Sequence, residues 1–536
     1  VTETQRVKQF GFTASEYERA RINVLKQYES AFNERENQKN GTYVREYVNH
    51  FTEGGYIPGI EMEYALVNQV AEQITVEQVN QYVQQVIGDR NIVIGLTGPD
   101  KADLRYPTEA ELLQAFETAQ RLPVEPYKET LSNEPLVPNL PTPGKIIETQ
   151  QGDRFEATVM TLSNGVKVVL KPTTFKKDEI LMTATSPGGS TLYGVEEILN
   201  LKVFNDVIEL GGLGNFSATD LSKRLAGKKV SCALSLGLDA ENVNGMAAPA
   251  DLKTLFELIY LAFTAPRIDE EAYASYANRM RAQLQNSELN PMVIFSDSLT
   301  STAYANHPRA LRLRAADFDR ISYQRIMELR DERFADASDF VFSFVGNIQM
   351  DSIRPLIEQY LATLPSSHRV EQANPAEVPD VRKGEISNVF SQPMEIPKVT
   401  VLHLYRGQMP YDLAHKLMAT MTKQILDLIY YEQVREAEGG TYGVGVSTSI
   451  SAFPEGRTSL QIYFDTDPAK WERMGQIIQT ALKQLAEEGP KAEDFTKTQD
   501  NLLKRYAEVL QENSYWLNVL DDYYYKGFDL QTDYES

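Results

Sequence analysis

Two stretches near opposite ends of the 536-residue chain are copies of one another. Gly11-Phe12-Thr13-Ala14 opens a segment that runs to Asn23-Val24-Leu25-Lys26-Gln27-Tyr28. Gly489-Pro490-Lys491-Ala492 opens one that runs, in ungapped register, to Asn501-Leu502-Leu503-Lys504-Arg505-Tyr506. In the same register Tyr17 falls on Phe495, Glu34 on Glu512, Asn40 on Asn518 and Tyr47 on Tyr525. Both copies carry apolar or aromatic residues at helical spacing. An internal repeat of this kind means a duplicated structural unit rather than one continuous fold. The first copy continues through Thr75-Val76-Glu77-Gln78-Val79 into the apolar strand Ile92-Val93-Ile94-Gly95-Leu96, whereas the second reaches Ser536 while still in its helical part. The expectation is a chain that starts inside one repeated domain, near its end, and stops before the matching point of another, as a fragment of a longer protein would.

Domains usually take about 100–200 residues, so several are expected here. Residues 1–105 read as helices closed by one strand. Residues 106–154 read as an extended linker, because Pro123, Pro126, Pro135, Pro138, Pro141 and Pro143 are too dense for the interior of a helix or sheet. The next domain spans 155–370. It opens on Val159-Met160-Thr161-Leu162, Ser163-Asn164-Gly165 and Val166-Lys167-Val168-Val169-Leu170, a hairpin pattern whose Asn-Gly pair suits a type I′ turn. Strands are expected at 180–185, 230–238 and 340–345. Helices are expected at 196–210, at 252–263 behind an Asp251 cap, at 269–289 and at 350–364. A second linker covers 371–389. The last domain, 390–536, should hold strands at 399–405, 441–450 and 458–464, with helices at 412–436, 468–488 and 492–525. Strands mixed with long helices and hairpins imply an α+β class: repeated two-layer domains, each a mixed or antiparallel sheet covered by helices.

Composition removes several functions. Asp and Glu number 75 against 53 Lys and Arg, a net charge of −22, which opposes binding to nucleic acid. No run approaches the ~18 apolar residues of a membrane span. Cys232 is the only cysteine, so disulfides and thiolate metal clusters within the chain are excluded. The start, Val1-Thr2-Glu3-Thr4-Gln5, has neither the basic residues nor the apolar core of a signal peptide.

The histidines are His50, His307, His368, His403 and His415. A zinc hydrolase needs imidazoles and a carboxylate converging from one helix. No H-E-x-x-H is present. H-x-x-E-H fails twice by its last residue, at His50-Phe51-Thr52-Glu53-Gly54 and at His368-Arg369-Val370-Glu371-Gln372. His50 falls on Phe528 in the repeat, which suits packing better than ligation. Cys232 lies in an apolar strand and reads as a small core residue. Gly212-Leu213-Gly214-Asn215-Phe216-Ser217 follows a helix and carries Ser in its third glycine slot, which argues against phosphate binding. One constellation remains: Arg435-Glu436-Ala437-Glu438-Gly439-Gly440-Thr441-Tyr442-Gly443. Arg435 in the last turn of a helix, Gly-Gly as a stop and Tyr442 in a strand all have ordinary structural reasons. Guanidinium and phenol could also both donate to a peptide carbonyl or its oxyanion.

Leu162-Ser163-Asn164-Gly165-Val166-Lys167-Val168 resembles the hairpin that opens each half of the pitrilysin/insulinase family of zinc metallopeptidases, the inverzincins. Phe344-Val345-Gly346-Asn347 resembles that family's strand before a helix, and Leu96-Thr97-Gly98 ends the first copy similarly. Arg435 and Tyr442, across a Gly-rich turn, match the family's substrate-binding pair. The resemblance implies four homologous domains in two halves that close like a clamshell around peptide substrates. It makes this chain the C-terminal half. Residues 1–105 would be the tail of the second domain, 155–370 the third and 390–536 most of the fourth. Zinc (Zn2+) would belong to the full-length protein, on its N-terminal half, with no metal and no catalytic residue in this chain. Tyr193-Gly194-Val195-Glu196-Glu197, about where a zinc motif would start in an active half, has no histidine. Substrate-binding residues would be Arg435 and Tyr442. Partners would be peptides and either the chain's own N-terminal half or a separate zinc-bearing chain, in a periplasmic or other extracytoplasmic setting. A non-catalytic subunit beside such a chain, or a scaffold without peptide contact, is the alternative.

Overall fold

The computed structural model of the chain describes residues 1–88, 90–98, 105–129, 134–438 and 443–529, with the side chains of 435–438 outside that description. The first copy of the repeat is helical: α1 (Thr2–Phe10), α2 (Ala14–Asn33), α3 (Asn40–Glu53), α4 (Ile60–Gln73) and α5 (Val76–Val86). Thr13 and Thr75 start α2 and α5 with reciprocal caps to Glu16 and Gln78, which satisfy N–H groups the helix leaves open. Asn80 holds the α1–α2 turn by bonding both the amide and the carbonyl of Phe12. The expected strand at 92–96 does not form. Residues 91–98 are exposed, and among the described residues no strand lies beside them. β-Propensity alone makes no strand without a ladder partner. The expected linker at 106–154 also contains order: α6 (Glu109–Arg121) follows a reciprocal cap between Thr108 and Glu111. Further along, Leu136 and Val137 are buried in the core of the next unit.

That unit is a seven-stranded mixed sheet. Its strands are β1 (Ile146–Gln151), β2 (Thr158–Leu162), β3 (Lys167–Pro172), β4 (Ile180–Pro187), β5 (Val230–Leu236), β6 (Ala240–Ala247) and β7 (Val341–Gly346), in the order β1-β2-β3-β7-β4-β6-β5. Every pair is antiparallel except β3 with β7. α7 (Ile198–Val207), α8 (Ala218–Arg224), α9 (Leu252–Thr264), α10 (Glu270–Ser287), α11 (Pro291–Ala303), α12 (Tyr323–Phe334) and α13 (Met350–Gln359) complete it. α9 lays its apolar face on the sheet, and Phe256 stacks on Phe344 with ring centres 5.5 Å apart. Such rings carry much of the burial energy of a core.

Two local expectations change. At the β2–β3 turn Gly165 takes a positive φ of 95°, but Asn164 does not. Gly165 N–H bonds the Leu162 carbonyl, and Leu162 N–H bonds the Val166 carbonyl. This is a type I turn closed by a glycine bulge rather than type I′. It frees the Asn164 amide to donate to the carbonyls of Leu361 and Leu364, at 2.9 and 3.1 Å. Asp251 heads α9 without capping it, because its carboxylate accepts from Lys229 N–H.

The last unit has β8 (Val399–Gln408), α14 (Leu413–Glu438), β9 (Val444–Ile450) and β10 (Arg457–Thr466), with strand order β8-β10-β9. α15 (Trp471–Glu488), α16 (Ala492–Val509) and α17 (Asn513–Leu520) follow. The expected single helix over 492–525 breaks after α16. Trp516 donates to the Leu510 carbonyl there, and buried Asn513 bonds Thr173 and Glu179 of the seven-stranded unit. The sequence repeat is a structural one. α2 matches α16, and the glycines before them share a conformation, Gly11 at φ 70°, ψ −175° and Gly489 at φ 76°, ψ 176°. Leu520 of α17 packs with Val159, Val169, Val341 and Val345 on the second face of the seven-stranded sheet, which layers the units together. Among the described residues no helix is long and apolar enough to cross a membrane.

Candidate functional site

α14 is placed by one buried seam. Leu426, Tyr430 and Val434 recur every four residues and pack with Val446, Ile462, Phe464, Met474 and Ile478. The Tyr430 hydroxyl donates to the Ile478 carbonyl. Residue 435 is the next backbone position after this seam, near the helix end at Glu438, and β9 resumes at Val444. One turn before it, Tyr431 is exposed, as is Leu428. The Arg435 side chain and all of Tyr442 lie outside the described residues, so the expected pair is framed by a rigid helix and strand but not itself placed.

The position expected to match the start of a zinc motif, Tyr193 to Glu197, closes the loop that runs from Gly188 to Glu197. It is filled by arginine–carboxylate pairs. Arg333, near the end of α12, reaches both oxygens of Glu371 at 2.8 and 3.1 Å, and Glu241 of β6 at 3.4 Å. Glu241 accepts from Gly189 N–H at 3.0 Å, and the Arg333 guanidinium lies over the Tyr193 ring. Arg325 holds Glu197 at 2.7 Å and Glu332 at 2.8 Å, and the Tyr193 hydroxyl donates to Glu332. Burial pushes the Glu241 carboxyl up to about 7, partly opposed by Gly189 N–H and Arg333. Burial also raises the Tyr193 phenol to about 12. Burial alone would draw Arg333 down, but its bonds to Glu371 carry it upward instead. The expected linker at 371–389 is part of this arrangement rather than a free tether. Besides Glu371, Asn374 N–H bonds the Thr191 hydroxyl. Half-buried Arg309 ties Glu377 to the carbonyls of Ser190 and Tyr193. These donors do not fit zinc: Glu197 and Glu371 are committed to arginines, and no imidazole is among them. Among the described residues no group of three or more His, Cys, Asp or Glu is arranged to hold a metal ion.

The remaining candidates are structural. His50 is exposed on α3, with its ring against the Gly55 carbonyl, so it is not the packing residue expected. His368 is exposed with a positive φ of 53°. Burial lowers His403 and strongly raises the Cys232 thiol, which packs against the core. Gly212 and Gly214 shape the connector into α8, where the Ser217 hydroxyl caps the helix through Asp220 N–H. The Arg333 cluster escapes sequence reading because its members are scattered along the chain. The available signal was an arginine on the apolar face of α12.

Residues 320–502 match the family described as the peptidase M16 inactive domain. A zinc protease described as PQQL-like, from Arabidopsis thaliana, is 24% identical over 533 residues, covering 96% of this chain and 52% of that protein. The crystal structure of the periplasmic protease PqqL from Escherichia coli superposes with a TM-score of 0.65 at 18% identity, over 97% of this chain and 57% of that one. That of the ferredoxin protease FusC, in complex with Arabidopsis ferredoxin, superposes with a TM-score of 0.67 at 15% identity, over 98% and 58%. These likenesses establish the fold. The chain spans about half the length of the curated relatives it matches.

Proposed function

We propose that the chain belongs to the pitrilysin-like peptidase M16 family, whose inactive-domain model its residues 320–502 match, and that it is the C-terminal, substrate-binding half of a zinc metalloendopeptidase. Residues 1–105 are the tail of the second homologous domain, the seven-stranded unit is the third and the three-stranded unit belongs to the fourth. Zinc is held by the other half. The observation that carries this reading is the loop at 188–197. Its Glu197 is paired with Arg325, Arg333 holds Glu371 beside it, and the 371–377 segment is bonded across it, a donor arrangement that suits a structural ion-pair cluster rather than zinc. Peptide binding falls to Arg435 and Tyr442. α14 is anchored by Tyr430 and Val434, so the backbone at 435 is held in a fixed position. From there a guanidinium and a phenol donate to the peptide carbonyl and to the negative charge that develops on it during attack. The periplasmic relative supports an extracytoplasmic setting.

The experiment is kinetic. Arg435→Ala and Tyr442→Phe are introduced into the full-length enzyme, and kcat/KM on a quenched peptide is compared with the melting temperature. Each variant should lose about 10–100-fold in kcat/KM, less than the ~10²–10³ of a sole oxyanion donor, because two donors share the charge. A large loss of stability with unchanged cleavage by the folded fraction would return both residues to helix-end and strand packing.

A further inference from the structure

We propose that the loop between β3 and β4, residues 173–179, is a coupling element: α2 and the α16–α17 turn both grip it, and through it the position of α2 bears on α14, the helix that presents residue 435. The inference rests on the peptide-binding reading above and adds what positions that helix.

The two grips come from the two copies of the internal repeat. At the end of α2 the Ser30 hydroxyl donates to the Asp178 carboxylate at 2.8 Å, and the Glu34 carboxylate accepts from Asp178 N–H at 2.6 Å. Glu512 stands at the position of Glu34 in the other copy. Its neighbour Asn513 accepts from the Thr173 hydroxyl at 2.6 Å and donates to the Glu179 carboxylate at 3.0 Å. Lys229 of the seven-stranded unit joins the first grip, donating to the Asp178 carbonyl at 2.7 Å and to the Ser30 hydroxyl at 3.2 Å. Lys39 and Glu512 also pair at 2.6 Å, so the two copies touch directly. That pair is exposed and adds little energy by itself. The buried members matter more: Asp178 is 7% exposed and Asn513 1%. A buried polar group that loses its partner costs its desolvation in full, so each grip needs the loop in one place.

The loop is braced to pass on a displacement. Thr173 N–H bonds the Gly346 carbonyl and Asn347 N–H bonds the Glu179 carbonyl, so both loop ends are held at the end of β7. The Asn347 side chain donates to the Lys177 carbonyl, and Lys176 pairs with Glu179 at 2.7 Å. Beyond the loop, Asn513 is the first residue of α17, Trp516 ties α17 to the Leu510 carbonyl after α16, and α16 packs along α14. A displacement of α2 moves Asp178, and neighbouring Glu179 carries it to Asn513 and the helices behind. Groups that share one network carry coupling energy that separate contacts lack.

Amide hydrogen exchange in the 536-residue chain reads the coupling. Glu34 is bonded to Asp178 and Asn37 rather than to α17. Glu34→Ala should still speed exchange of the 513–520 amides by about tenfold, the equivalent of one hydrogen bond, and Glu34→Gln, which keeps an acceptor oxygen, should not. Thr173→Val should do the same to the 27–34 amides, since coupling is reciprocal. In the full-length enzyme Glu34→Ala should lower kcat/KM on a quenched peptide by about fivefold well below its melting temperature, again with rescue by Glu34→Gln, because donors that are slightly misplaced lose part of their effect. Exchange that rises only in α2 and 173–179 would overturn the coupling. So would exchange that spreads to α17 with kcat/KM unchanged while Arg435→Ala still slows cleavage, and the peptide-binding reading would then stand without it. If Arg435→Ala leaves cleavage unchanged too, the peptide-binding reading fails and the inference fails with it.

Discussion

Glu241 is 1% exposed and faces one arginine that is already paired with Glu371. Burial therefore pushes its carboxyl up to about 7 in the folded chain, against 4.5 for an ordinary glutamate. The raised value means that the folded protein holds a proton which the unfolded chain releases. Stability from this group is fully present below pH 4.5 and is lost as pH rises toward 7. Linkage over those two values gives a loss of about 2.5 kcal/mol between pH 5 and pH 8. Glu241→Gln keeps an oxygen for Gly189 N–H and removes the ionisation. The variant should gain about 2.5 kcal/mol relative to the native chain between pH 5 and pH 8, whatever its offset at pH 5. Urea unfolding at both pH values measures this, with the native chain as reference. Parallel pH profiles for the two proteins would refute the argument, because they would mean that Arg333 keeps Glu241 ionised throughout.

Glu371→Ala leaves Arg333 with the Tyr193 ring and the longer contact to Glu241. Removing a partner from a buried pair costs about 3–5 kcal/mol; Glu371 is partly exposed and Glu241 remains, so a loss of about 2–3 kcal/mol is expected by denaturant titration. Limited proteolysis should also become faster across 371–389 in that variant, since one of the bonds that hold this segment on the loop is gone while those of Asn374 and Glu377 remain. Asn164→Ala removes the donor to the Leu364 carbonyl and one of the two donors to the Leu361 carbonyl, and should cost about 1–3 kcal/mol with no effect on peptide binding by the full-length enzyme, measured by melting and by titration with substrate. Gly188→Ala should be less stable than the native chain in the same melts, since an added Cβ would sit 2.8 Å from a Glu241 oxygen and φ is 152°.

Much of the fold was legible where local chemistry and tertiary packing agree. The 340–345 run is apolar on both faces because β7 is central and covered on both, and the hairpin at 159–170 followed from alternation and a turn glycine. Sequence missed β6 because Ala240-Glu241-Asn242-Val243-Asn244-Gly245 carries polar residues whose partners come from distant segments. It missed α6 although the Thr108/Glu111 box was readable, because nearby prolines dominated the reading. It assigned a strand at 92–96 because propensity does not report whether a ladder partner is present. The repeat was legible in the helices α2 and α16, and the structure adds the shared conformation of Gly11 and Gly489 before them. Of the candidate site, residue physics gave Arg435 and Tyr442 ordinary places at a helix end and a strand start beside a donor role toward a peptide carbonyl, and family resemblance favoured the second. The carboxylate–arginine cluster at 188–197 was invisible, because Glu241, Arg333 and Glu371 converge only through the topology of β6, α12 and the segment after the third domain.

The central claim is that this chain binds peptide for chemistry done on another half. Cleavage of a quenched peptide by the purified 536-residue chain, with zinc supplied and again after addition of the zinc-bearing half, tests it most directly. The chain alone should show no cleavage and no stoichiometric zinc after dialysis, and activity should appear on mixing and fall with Arg435→Ala. Chelator-sensitive cleavage by the chain alone, with one bound zinc, would contradict the account.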